Sequence, residues 1–215
     1  MFKFLVIFIT LLVNWSESIN VPSNLLQPID CKTANITTIP DILPNPCKYI
    51  ENITAILGNF TPSDQVITQQ LLQSLFGDLK AKLIESFNSV KRLNVPLFKK
   101  FASKDPNGYN ATLMLFSNLA KNNNNQLSLV DQANCQTTMN DLENLKNNLN
   151  TDGLVLDKQI FCLIAADLKK NLPVTIAMFM FKNGKMLSSL QQNEGANLNA
   201  LKNLMSKIMM SHGNF

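Results

Sequence analysis

Four cysteines, one histidine and a few close carboxylates are the residues of this chain whose types are suited to chemistry. The cysteines stand at Cys31, Cys47, Cys135 and Cys162. A thiolate serves as nucleophile, metal ligand or half of a disulfide. No Cys-x-x-Cys motif occurs, and the spacings lack the close pairs that zinc sites use, so neither a redox motif nor a metal centre is expected. The one histidine, His212, falls in the last few residues, where chains are usually mobile, and a catalytic histidine needs packing and a third group to hold it. Asp141 and Glu143 sit close in sequence, but the pattern around them reads as a solvated helix face rather than an acid–base pair. No acidic cluster resembles a calcium loop, and the seven glycines form no phosphate-cradling loop before a helix. The residues therefore predict a protein that is not an enzyme and holds no cofactor and no metal.

An even number of cysteines acquires a simple reading if the chain is exported. It begins Met1-Phe2-Lys3, continues apolar from 4 to 13, and then offers the small residues Ser16 and Ser18. A positive start, a short apolar run and a small-residue cleavage site make residues 1–18 a predicted signal peptide, too short to span a membrane comfortably. The expected location is secreted and extracellular, where two disulfides are the default. Three pairings are open to four cysteines. The preferred one joins Cys31 to Cys47 and Cys135 to Cys162. The first closes a short loop worth about 3 kcal/mol in chain entropy. The second rests on a helical hairpin about a turn near Asn150, which would bring those two positions opposite each other. Four Asn-x-Thr sequons, at Asn35, Asn52, Asn59 and Asn110, add an expectation of N-glycosylation.

Two further groups of residues suggest binding. Six of the nine methionines follow residue 177, among them Met178, Met180, Met205 and Met209. Methionine fills irregular space, so these residues serve either an ordinary core or an apolar cavity for a small lipid-like ligand. Lys91, Arg92, Lys99, Lys100 and Lys104 lie among Leu93, Leu97, Phe98 and Phe101 with no acid before Asp105. That mixture suits an anionic membrane surface or an acidic partner, and it equally suits a solvated helix C-terminus. The net charge of +4 gives no reason to expect nucleic acid.

The elements that must position these residues are helical. Apolar residues make up 46% of the chain, enough for a sizeable core. The clearest element covers 61–93: Thr61 as N-cap, Pro62 at the first position, Asp64 in the first turn, then Leu72, Leu75, Leu79, Leu83, Phe87 and Val90 at helical spacing. Five prolines between 22 and 46 make the preceding arm irregular, with a helix from Cys47 to about residue 57. Further helices are expected at 97–102, 111–121, 129–148, 154–168 and 197–210, with Asp105-Pro106-Asn107-Gly108 and the stretch 147–153 as turns. Residues 174–190 read as a helix or as a β-hairpin about Asn183-Gly184.

Residues 178–185, with Gly195-Ala196-Asn197 before a helix, resemble the last hairpin and helix of a thioredoxin. The resemblance covers a small part of the chain, Ile176 stands where that family has proline, and the paired-cysteine motif is absent. It therefore implies no activity. The sequence predicts an all-α, disulfide-stapled bundle of about six helices with a Pro-rich N-terminal arm. Its expected organisation is a signal peptide (1–18), an arm (19–60) and a helical domain (61–215). The expected function is that of a secreted, non-enzymatic glycoprotein that binds an extracellular protein. The alternatives are a carrier of a small apolar ligand and a membrane-surface protein.

Overall fold

A computed structural model of the chain describes residue 31, residues 54–121, residues 132–193 and residue 199. Among these the protein is all-α, with five long helices: α1 (Pro62–Leu93), α2 (Val95–Lys104), α3 (Pro106–Lys121), α4 (Gln132–Asn148) and α5 (Thr151–Asn193). A helical turn at 54–57 precedes them.

The helix α1 forms where the sequence places it. Thr61 is extended and caps it: its Oγ1 accepts from the Asp64 amide at 3.4 Å and donates to Asp64 Oδ2 at 2.9 Å. Lys91 and Arg92 complement the dipole in the last turn. At 1.5 Å per residue the helix is about 48 Å long. The longer α5 runs antiparallel to it. Asn183 Nδ2 donates to Ser74 Oγ at 3.2 Å, and Lys182 Nζ lies 3.7 Å from Asp78 Oδ1. Asn183 is buried and also donates to the Phe179 carbonyl, so this polar lock fixes the register of the pair.

Two apolar cores lie along this pair. One gathers Leu57, Phe60, Leu71, Leu72 and Leu75 against Phe179, Leu187 and Leu190. The other joins Phe87 and Val90 of α1 to Phe98, Phe101, Leu115, Phe116, Leu142, Leu145, Leu156, Ile160, Phe161 and Ile164. Its centre is aromatic: Phe87 stacks on Phe116 at 3.9 Å with rings 5° from parallel, and Phe116 meets Phe161 at 5.8 Å. Here α2, α3 and α4 gather over the α1–α5 pair. Residues 83, 87, 90 and 98 thus face inward as their spacing implies, Leu83 from the margin.

Several expectations are corrected. The segments at 154–168 and 174–183 are one helix of 43 residues that passes through Pro173. Proline lacks the donor for the carbonyl one turn back and costs about 3 kcal/mol in a helix interior. Burial on both sides of it outweighs that cost, because Ile160 and Ile164 belong to one core and Phe179, Leu187 and Leu190 to the other. Two side chains add bonds around the defect. Asn171 Nδ2 donates to the Asp167 carbonyl at 2.7 Å, and Thr175 Oγ1 donates to the Asn171 carbonyl at 3.1 Å. Of the two readings of residues 174–190 the helix holds, running on past Asn183-Gly184 to Asn193, and the hairpin is absent, with it the thioredoxin-like geometry at 178–185. The turn at Asp105–Gly108 is the start of α3, and Gly153 lies inside the first turn of α5.

The preferred disulfide pairing is also overturned. Cys31 is bonded to Cys162, with Cα atoms 5.7 Å apart. The hairpin argument fails because α4 lies along α3, where Asn118 Nδ2 donates to both oxygens of Asp141 at 3.2 and 3.1 Å, and does not fold back along α5. The arm is tied to the bundle by Cys31 instead of being closed on itself. Cys47 and the Cys135 side chain lie outside the described residues, as do the expected signal peptide, the remainder of the arm and all but residue 199 of the expected last helix.

Candidate functional site

Polar side chains converge where α2, α3 and α5 meet, and Asp105 is their centre. It is 3% exposed. Its amide donates to the Phe101 carbonyl, closing α2, and its own carbonyl accepts from Tyr109 at the start of α3. The carboxylate then divides. Oδ1 accepts from the Gly108 amide at 3.0 Å, the N-cap bond of α3. Oδ2 accepts from the Asn150 amide at 2.8 Å. Asn150 is itself the N-cap of α5: its Oδ1 accepts from Gly153 at 2.8 Å, and its Nδ2 donates to the Lys104 carbonyl at 3.1 Å. One aspartate thus joins two helix N-termini, where orphan amides and the positive dipole ends both favour a negative group.

The two caps share a pattern, Asp105-Pro106-Asn107-Gly108 and Asn150-Thr151-Asp152-Gly153, each an Asx with glycine three residues on. The glycines are there for room. A Cβ on Gly108 or Gly153 would come closer than 3.0 Å to the Asp105 carboxylate, which is already fixed by two amides. The sequence shows this Asx-x-x-Gly repeat. The residues suit turns as well as caps, and only the fold shows that the two ends meet.

One turn further along α5 lies Asp157, fully buried. Thr112 Oγ1 stands 2.8 Å from Asp157 Oδ1 and 2.9 Å from the Gly108 carbonyl. A hydroxyl has a single proton, so it cannot donate to both acceptors. Both contacts are satisfied when Asp157 is protonated and donates to Thr112, which then donates to the carbonyl. Burial pushes the Asp157 carboxyl up to about 7, the Thr112 bond opposes the shift, and the charge of Asp105 adds to it. Asp157 Oδ2 has no hydrogen-bond partner. Near neutral pH this carboxyl is about half protonated, and acid favours the protonated arrangement.

The residues singled out from sequence are dispersed. Asp141 is bonded to Asn118, whereas Glu143 is exposed on the same helix. Met178 is 67% exposed, Met180 packs against the first core, and Met205 and Met209 lie outside the described residues. Of the sequons, Asn59 is exposed just before α1, and Asn110 is exposed on α3. The Thr112 of the Asn110 sequon is buried against Asp157, so modification there has to precede closure of α3 on α5. Asn35 and Asn52 lie outside the described residues, as does His212.

The basic stretch forms the corner between α1 and α2. Phe98 and Phe101 turn inward, whereas Leu93 is 71% and Val95 46% exposed. Arg92, Lys99, Lys100 and Lys104 are exposed around them, and Lys91 is half-buried. Lys104 Nζ is 3.9 Å from Asp152. Among the described residues, no group of three or more His, Cys, Asp or Glu side chains is arranged to hold a metal. The chain matches no family model, no curated protein and no solved structure.

Proposed function

We propose that this protein is a secreted, non-enzymatic glycoprotein that binds an acidic extracellular protein through the α1–α2 corner. The observation that carries this reading is the exposure of Leu93 and Val95 among Arg92, Lys99 and Lys100. Both side chains stand in water beside a core that buries Phe98 and Phe101 of the same corner. Burying a large aliphatic side chain contributes about 1.5–3 kcal/mol, and a ring of basic groups steers an acidic partner and fixes its register. The buried carboxylates Asp105 and Asp157 join helices, which supports a structural use for the strongest polar cluster. The disulfide is compatible with an extracellular setting. Among the described cavity candidates, Met178 points outward and Met180 packs against the first core.

The test uses full-length protein collected from the medium of secreting eukaryotic cells. Labelled protein should bind intact cells, lose that binding when the cells are treated with protease, and shift in mass on deglycosylation. Leu93→Ser with Lys99→Glu and Lys100→Glu should lower cell binding at least tenfold without changing the melting temperature. Retention inside the cell, or equal binding by this variant, overturns the reading.

A further inference from the structure

A second exposed apolar surface lies on α5, away in sequence from that corner. Val174, Met178 and Phe181 are 62%, 67% and 74% exposed, next to a core that has buried Phe179, Leu187 and Leu190. Lys170 precedes Val174 by four residues and Lys185 follows Phe181 by four, and both lysines are exposed. At 100° per residue these five positions fall within an arc of about 80° on the helix. They form one stripe with cations at both ends and apolar side chains between, bounded by Asp167 one turn before Lys170. Between Asp167 and Glu194 the chain has four lysines and no acidic residue. Lys182 lies 3.7 Å from Asp78 of α1.

We propose that this stripe docks the protein on an anionic phospholipid surface, with α5 lying parallel to the membrane plane. The geometry argues for lipid. A single convex helix ridge, three apolar residues long, presents a line to a flat partner. Long lysine stems at its ends let the ammonium groups rise to headgroup level while the apolar side chains enter the acyl boundary. Charge complementarity selects anionic over neutral lipid. No described helix is long and apolar enough to cross a membrane, so contact at the interface is the mode that the stripe supports. The inference is independent of the α1–α2 corner, since it uses neither its residues nor a protein partner.

Co-sedimentation of the full-length glycoprotein with phosphatidylcholine–phosphatidylserine vesicles tests it, with pure phosphatidylcholine vesicles as the neutral comparison. Binding to the anionic vesicles should be at least tenfold stronger and should fall at least tenfold between low salt and 0.5 M salt. Met178→Ser with Phe181→Ser, and separately Lys170→Glu with Lys185→Glu, should each lower anionic-vesicle binding at least tenfold. Binding is compared at temperatures where circular dichroism shows each variant to be folded. Equal binding to both kinds of vesicle overturns the proposal. So does full vesicle binding by the serine variant. If the serine variant instead changes only the oligomeric state by light scattering, the stripe is a protein interface and the proposal fails. Loss of vesicle binding through Leu93→Ser alone assigns the contact to the other corner and also overturns it.

Discussion

At the level of single residues, the junction around Asp105 makes opposite claims about glycines that look alike in sequence. Gly77 and Gly184 are helical and have open space where a Cβ would stand. Alanine at either should raise stability by about 1 kcal/mol, the usual difference in helix propensity. Gly153→Ala should lower it, because the new carbon meets a carboxylate that cannot move without releasing two helix caps. Chemical denaturation of the three variants separates the two cases. The neighbouring Asp157 makes a claim about pH. Its folded-state pKa of about 7 lies above the ordinary carboxylate value. The folded protein therefore binds this proton more tightly than the unfolded chain does. The associated stability is fully present below about pH 4, falls as pH rises toward 7, and is gone above that; the difference is on the order of 4 kcal/mol. Asp157→Asn keeps the shape and a donor toward Thr112. It should leave the melting temperature little changed at pH 4, raise it at pH 8 and flatten this part of the profile. An unchanged slope between pH 4 and 7 would show that Asp157 is not the group responsible. None of this was legible beforehand. Asp105 and Gly108 read as a turn, Asp157 drew no notice, and their meeting depends on contacts 45 residues apart.

Among the elements, the strongest helix was the most legible. Its start carries Thr61, Pro62 and Asp64, and its apolar repeat runs through Leu72, Leu75, Phe87 and Val90, so local chemistry and burial agree there. Where they disagree, the sequence misled. Pro173 reads as a stop, yet α5 continues because the partner α1 extends past that level and offers a second core. Hairpin register failed for a related reason: α4 had a better partner in α3 than in its chain neighbour. Both α1 and α5 run through both cores, which argues for one cooperative unit. Leu190→Ala in the first core should cost about 2–5 kcal/mol, and Phe116→Ala in the second about 3–5. Each should move a single transition seen alike by circular dichroism and by Trp-independent probes such as hydrogen exchange. Two separated transitions would mean that the cores melt apart.

At the scale of the whole molecule, the all-α class followed from the helical period of most segments, with residues 174–190 left open between helix and hairpin. Which apolar side chains stay in water did not follow, since an exposed Leu93 or Phe181 and a buried one are the same letter. The disulfide adds a global constraint. Peptide mapping without reduction should recover Cys31 joined to Cys162. Reduction should lower stability by about 5 kcal/mol in the chain-entropy account for a loop of 131 residues. The same bond also has a mechanical consequence. A chain pulled by its two ends transmits force through Cys31 directly to Cys162, so α1 to α4 and the first turns of α5 are bypassed by the load. About 460 Å of contour, at roughly 3.5 Å per residue, stays hidden until the bond is reduced. In a force–extension trace this would register as a single added length once the bond is reduced and the helices between the two cysteines unfold.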